Sequence, residues 1–232
     1  SYTFAPPSEM EVRSERDQAS QDIASKMSEA REEAEALRKE MEEMRRQLGE
    51  DDKFDWKDER SMEELMKRQE SLKAALEELQ KANKEKDQRA NEFSPEEERI
   101  MEKQEQLQEL MEEVMNDELK AMYDEMQRLM EQMDPEIMEE MQQQLEAMEV
   151  DQESLEKELD RALEQFKQLE YEVNMQEAIE DLKELAEKQE ALAEENESTP
   201  NDSLAAQQDS LNQEFESLQE KLDELDKANE KL

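Results

Sequence analysis

The chain has 232 residues, and 71 Asp or Glu stand against 30 Lys or Arg, for a formal net charge of −41. One Gly, no Cys and no His exclude thiolate and imidazole catalysis, the usual zinc ligands, disulfide frameworks, P-loops and dinucleotide folds. The charge repels nucleic acid, and no run of 18 apolar residues exists to span a membrane.

With 44% charged and 34% hydrophobic residues, the composition is also that of a disordered chain, so order has to come from pattern. Residues 1–8 carry Tyr2 and Phe4 ahead of Pro6 and Pro7 and read as an extended lead-in. Ser8 with Glu11 then forms a capping box. From Ile23 the apolar positions Met27, Ala30, Ala34, Leu37, Met41, Met44 and Leu48 follow in unbroken 4-3 steps. That spacing keeps one stripe against a partner helix, as in a coiled coil. It predicts a helix over 9–48, which Gly49 would terminate.

Residues 49–60 (GEDDKFDWKDER) are expected to be a loop at which the chain reverses, giving a first hairpin over 9–92. Phe54 and Trp56 alternate among its acids. They read either as the plug of the hairpin end or as a contact for a partner. Ser61 with Glu64 opens a helix over 61–92, and Ser94 with Glu97, followed by Pro95, opens another over 95–133. Asp134 and Pro135 start a segment over 135–149, flanked by Met133 and Met138 at staple spacing. Val150 and Leu155 flank Asp151 in the same way, so a new helix is expected over 152–196. A break near 197–202 precedes a last helix, 200–232, whose stripe runs Leu204, Leu211, Phe215, Leu218, Leu222 and Leu225, with Gln208 and Asn229 at polar core places. The fold class is therefore all-α: an elongated coiled coil or antiparallel hairpins of long amphipathic helices, without a sheet.

Ten of the 17 Met residues fall within 101–148, which marks 95–149 as a Met-rich segment. Met115, Met122, Met126 and Met130 are the candidates there for a pliable surface that grips hydrophobic clients. Their alternative is a core built of Met. Copper(I) could use thioethers, but no His or Cys supports it, and no metal or other cofactor is expected. A short repeat, R/K-Q-E-x-L, occurs at Arg68–Leu72, Lys103–Leu107 and Lys188–Leu192, with a looser copy at Gln207–Leu211. Its glutamines (Gln69, Gln104, Gln189 and Gln208) fall on the stripe, where a polar residue sacrifices stability and sets register. Acid-before-base pairs four apart, such as Glu35–Lys39 and Glu153–Lys157, lace the outer faces. Carboxylates abound, but no pair of them is placed for catalysis, so an enzyme is not expected.

The segments Lys157–Glu170 and Ala178–Glu195, with Arg161, Phe166 and Lys167 as their more specific residues, carry a resemblance. The chain resembles the acidic coiled-coil region of a family of large, N-terminally membrane-anchored bacterial envelope proteins of unknown function. The lead-in Phe4–Pro7 suits the junction before such a coil. The resemblance implies a location in the cell envelope on the periplasmic side of the inner membrane, a membrane-anchored parent, and no catalytic or ligand-binding residue. A cytoplasmic location stays open. Leu232 stands in register with no cap after it, and Tyr2 and Phe4 lack heptad neighbours. A longer protein is therefore expected, with coil beyond Leu232 and a domain before Ser1. Two functional readings follow. One is a structural scaffold that associates with proteins, or with itself, through its stripes. The other is a chaperone-like module with a Met-rich binding surface.

Overall fold

The computed structural model describes residues 9–50, 56–93, 98–113, 121–122, 125–129, 138–194 and 201–229. All of these are helical, and no strand occurs among them. The main elements are α1 (Glu9–Glu50), α2 (Trp56–Phe93), α3 (Glu98–Glu113), α4 (Met138–Glu194) and α5 (Asn201–Asn229), with a short helical stretch at 125–129. The fold is all-α, as the spacing predicts. The chain divides into two compact units, Ser1–Phe166 and Lys167–Leu232.

In the first unit α1 lies antiparallel to α2. Arg68 of α2 donates to Glu33 at 2.8 Å and also to Glu40, while Arg89 pairs with Glu15 at 3.6 Å. The opening half of α4 runs antiparallel to α1 as well, through Arg31–Asp160 at 3.5 Å, Arg38–Glu156 at 3.2 Å and Arg45–Glu149 at 3.1 Å. Contacts between α2 and α3, and a bond from Gln144 Nε2 to the carbonyl of Met122 at 3.0 Å, complete an antiparallel bundle.

Its core is the heptad stripe. Every α1 position marked by the 4-3 spacing, from Ile23 to Leu48, is buried. So are Met62, Leu65, Leu72, Leu76 and Leu79 of α2, with Gln69, Asn83 and Lys86 at the intervening places. Full burial of one such apolar side chain contributes roughly 1.5–3 kcal/mol, and these helices are held by many of them rather than by propensity. Ala30 and Ala34 are buried on the α1 stripe, and small side chains at such places let neighbouring helix backbones approach closely.

The boundaries differ from the sequence reading at three places. Helix α1 runs through Gly49 to Glu50, so Gly49 does not end it. A side chain from another helix supplies the cap instead: Gln142 Nε2 donates to the carbonyl of Leu48 at 2.9 Å, satisfying an acceptor that a helix end leaves open. Helix α2 starts at Trp56, not Ser61, with Asp58 and Glu59 in its first turn, where the helix dipole favours acids. The chain does reverse between α1 and α2, but residues 56–60 belong to the second helix.

Helix α4 runs without interruption through 150–151, which removes the expected break between 149 and 152. Met141, Leu145, Met148, Gln152, Leu155, Leu159, Ala162 and Phe166 keep 4-3 spacing across that point, and all are buried. Packing of this continuous stripe outweighs the local cap signal of Asp151. The division between units accordingly falls inside α4, at 166–167, and not between a 95–149 segment and a 152–232 segment. The expected break near 197–202 is consistent with the start of α5 at Asn201, and 195–200 lie outside the described residues.

In the second unit the rest of α4 and α5 form an antiparallel pair. Lys188 reaches Glu214 at 3.0 Å, Lys221 reaches Glu177 at 3.4 Å, and Gln189 and Gln208 exchange two bonds of 3.0 Å.

Candidate interaction surfaces

The Met-rich segment offers little outward surface among the described residues. Met126 is fully buried, Met111, Met141 and Met148 are buried, and Met122 is half-buried. They join Met41 and Met44 of α1 and Met62 of α2 inside the first unit. Met101, 49% exposed, is the described exception in this segment. Met115 and Met130 lie outside the residues whose side chains are described. Met fills irregular space between helices well, which explains its use in a core whose partners vary from layer to layer.

Phe54 also lies outside the described residues. Trp56 is the first residue of α2 and is 66% exposed, so it does not plug the hairpin end. The Lys57 ammonium stands 5.9 Å from its ring centroid. An isolated exposed aromatic of this kind is not a patch.

The polar positions of the stripe separate into two arrangements. Within the first unit Lys86 is buried with its ammonium 4.6 Å from the centroid of Phe166 and 3.4 Å from Asp87. Asn83 Nδ2 donates to the same carboxylate at 3.3 Å. A buried ammonium needs such partners, and an aromatic face with a carboxylate provides them. Gln69, Gln104 and Gln152 are buried as well. In the second unit Gln189 and Gln208 satisfy each other across the helix pair. The repeat glutamines therefore occupy core layers in one unit and a solvent-facing seam in the other.

Charge is organised as pairs on the outer faces, some within one helix and some between helices. Hydrogen bonds that Arg68 donates to Glu33 and Glu40 raise its pKa well above its ordinary value. Glu214, then Glu184, raise that of Lys188. A hydrogen bond from Lys39 holds Glu35 below the usual carboxylate range, and Lys157 does the same to Glu153. Among the described residues no group of three or more carboxylates is arranged to hold a metal ion, and no helix is long and apolar enough to cross a membrane.

The surface that sequence reasoning missed is on the second unit. Ile179 is 41% exposed, Leu182 is 37% exposed and Phe215 is 52% exposed. Leu185, Leu192, Leu204 and Leu211 are half-buried along the same seam. The spacing assigns Phe215 to a core stripe, and it does stand on that stripe. Two helices, however, cannot enclose a seam from both sides. Ile179 next to Ala178 is the available signal, because it widens the stripe beyond what a single partner helix can cover. No protein-family model, curated protein or solved structure matches the chain.

Proposed function

We propose that the chain is a non-catalytic scaffolding segment that holds protein partners through its helical stripes, within a membrane-anchored protein of the bacterial cell envelope. The inward orientation of Met111, Met126, Met141 and Met148 carries this reading over the chaperone-like alternative. A holdase must present its pliable apolar surface to clients, whereas a scaffold consumes it in rigid packing. The antiparallel bundle supplies that rigidity, with ion pairs such as Arg38–Glu156 and Arg45–Glu149 on its outer edges fixing the order of the helices. The envelope location rests on the resemblance carried by residues 157–195.

The test is suppression of aggregation. An unrelated enzyme is heated alone and with an equimolar amount of the chain, and light scattering is followed. A scaffold leaves the scattering curve unchanged. Stoichiometric suppression, lost when Met101 and Met122 are replaced by Ser, would overturn the scaffold reading and favour client binding.

A further inference from the structure

We propose that the exposed seam of the second unit is the docking site for a basic amphipathic helix of a partner protein. This rests on the scaffolding reading and names the chemistry of the partner. Leu182, Leu185, Gln189 and Leu192 of α4, and Leu204 to Leu225 of α5, keep the 4-3 spacing that the first unit buries, but here Leu182 and Phe215, with Ile179 beside the stripe, face outward. Apolar residues in that arrangement accept the knobs of another helix. From Ile179 to Leu192 the face extends about 20 Å along α4 at 1.5 Å per residue, which matches about two heptads of partner.

Charge selects among the possible occupants. Residues 167–232 hold twenty acidic side chains and six lysines. Two of those lysines already have acidic partners within the unit, Lys188 with Glu184 and Glu214, and Lys221 with Glu177. Exposed Glu180 and Glu187 on α4, and Glu216 and Glu220 on α5, are close in sequence to the apolar positions and leave the rim strongly negative. A second copy of the chain would bring the same surplus to the same face and be repelled. Anionic lipid and nucleic acid would be repelled too. A helix with Leu or Ile on one stripe and Lys or Arg at the flanking places satisfies both the seam and the rim. Complementarity of this kind raises association rate and sets which partners are accepted.

The test uses the full chain and a labelled synthetic peptide of three heptads, with Leu and Ile on the stripe and Lys and Arg beside it. Controls are the same peptide with its apolar residues scrambled off the stripe, and a version with Glu in place of the basic residues. Fluorescence anisotropy is read at about 0.15 M salt, where long-range attraction is largely screened. The expected result is binding of the basic stripe peptide alone, weakened at least about tenfold by Leu182→Ser with Phe215→Ser. Trp56→Ser with Val150→Ser, which removes exposed apolar groups from the first unit, should leave it unchanged. Ile179→Ser alone should give a smaller loss, and circular dichroism of each variant reports that the helices persist. Equal binding of the scrambled peptide, or indifference to Leu182 and Phe215, would overturn the proposal as mere charge attraction. So would a dimer in sedimentation equilibrium that the Leu182 and Phe215 changes dissolve, since the occupant would then be a second copy. Failure of the peptide with no suppression of client aggregation removes this partner and leaves the scaffold reading standing.

Discussion

Gln152 offers the sharpest test of the packing. It is fully buried on α4, one turn from Met148 and one from Leu155, and neither its Nε2 nor its Oε1 has a hydrogen-bond partner among the described residues. The flanking pairs Arg45–Glu149 and Arg38–Glu156 set it level with the buried Met41 of α1, in the middle of the apolar stripe. A buried polar group without a partner costs about 1–3 kcal/mol. Gln152→Leu removes that cost, keeps nearly the same volume and adds apolar burial. The expected gain is about 2–4 kcal/mol, or a rise in melting temperature of roughly 5–15 °C for a domain of this size. Thermal melts by circular dichroism and urea titrations would measure it, with Gln152→Ala as the contrast, since Ala removes the amide but leaves a void. A lower melting temperature for Gln152→Leu would refute the reasoning, because it would mean that the amide is satisfied in the native state. Sedimentation of the variant would also show whether Gln152 restricts association, as polar residues at core places do in coiled coils.

Ala34→Leu should do the opposite: Ala34 is fully buried on the α1 stripe, and the added methylenes should lower stability by about 1–3 kcal/mol, while Ala193→Leu on an exposed position of α4 should be nearly neutral. An unchanged urea midpoint for Ala34→Leu would show that the core around α1 has room for the larger side chain. Stability should also have a maximum on the acid side of neutrality. The carboxyls of Glu35 and Glu153 are lowered by Lys39 and Lys157, so their pairs contribute above the ordinary carboxylate pKa and are lost as pH falls through the lowered values. Mutual repulsion within a net charge of −41 works the other way, and it relaxes first as the surplus carboxylates protonate. Melting temperature should therefore rise as pH falls from 7 into the ordinary carboxylate range and turn down only below it, and added NaCl should raise it at pH 7. A steady decline from pH 7 downward would contradict this.

Periodicity makes most of the first unit legible in the amino-acid sequence. The 4-3 spacing marks the α1 stripe from Ile23 to Leu48 residue by residue, and every member is buried, because that spacing is a direct consequence of helix geometry. The errors come from letting local signals override that period. Asp151, with Val150 and Leu155 around it, has the form of a helix start, yet Met148, Gln152 and Leu155 are in step across it, and the helix continues. Treating Gln152 as a core place, on the same footing as Gln69 and Gln104, joins the two segments. Gly49 fails as a terminator for a related reason. The nearby acceptor, the carbonyl of Leu48, is bonded by Gln142, a residue 94 positions away that no local pattern connects to it.

Phe215 marks a deeper boundary. Its place on the stripe is the same kind of place that Phe166 occupies: Leu211 and Leu218 are in step around Phe215, and Ala162 and Leu169 around Phe166. Phe166 is buried beside Lys86 because the first unit brings α2 against α4. Phe215 stands 52% exposed because, in the second unit, α5 has the end of α4 beside it and no third helix among the described residues of that unit. A heptad stripe states which side chains require a neighbour. Whether the neighbour comes from the same unit or from another molecule depends on how many helices assemble, and that number is a property of tertiary packing. A side chain that the period marks as buried and the fold leaves outside, as Phe215 is, therefore has apolar surface to offer a further helix, and this is the ground on which a partner helix is proposed for the seam of α4 and α5.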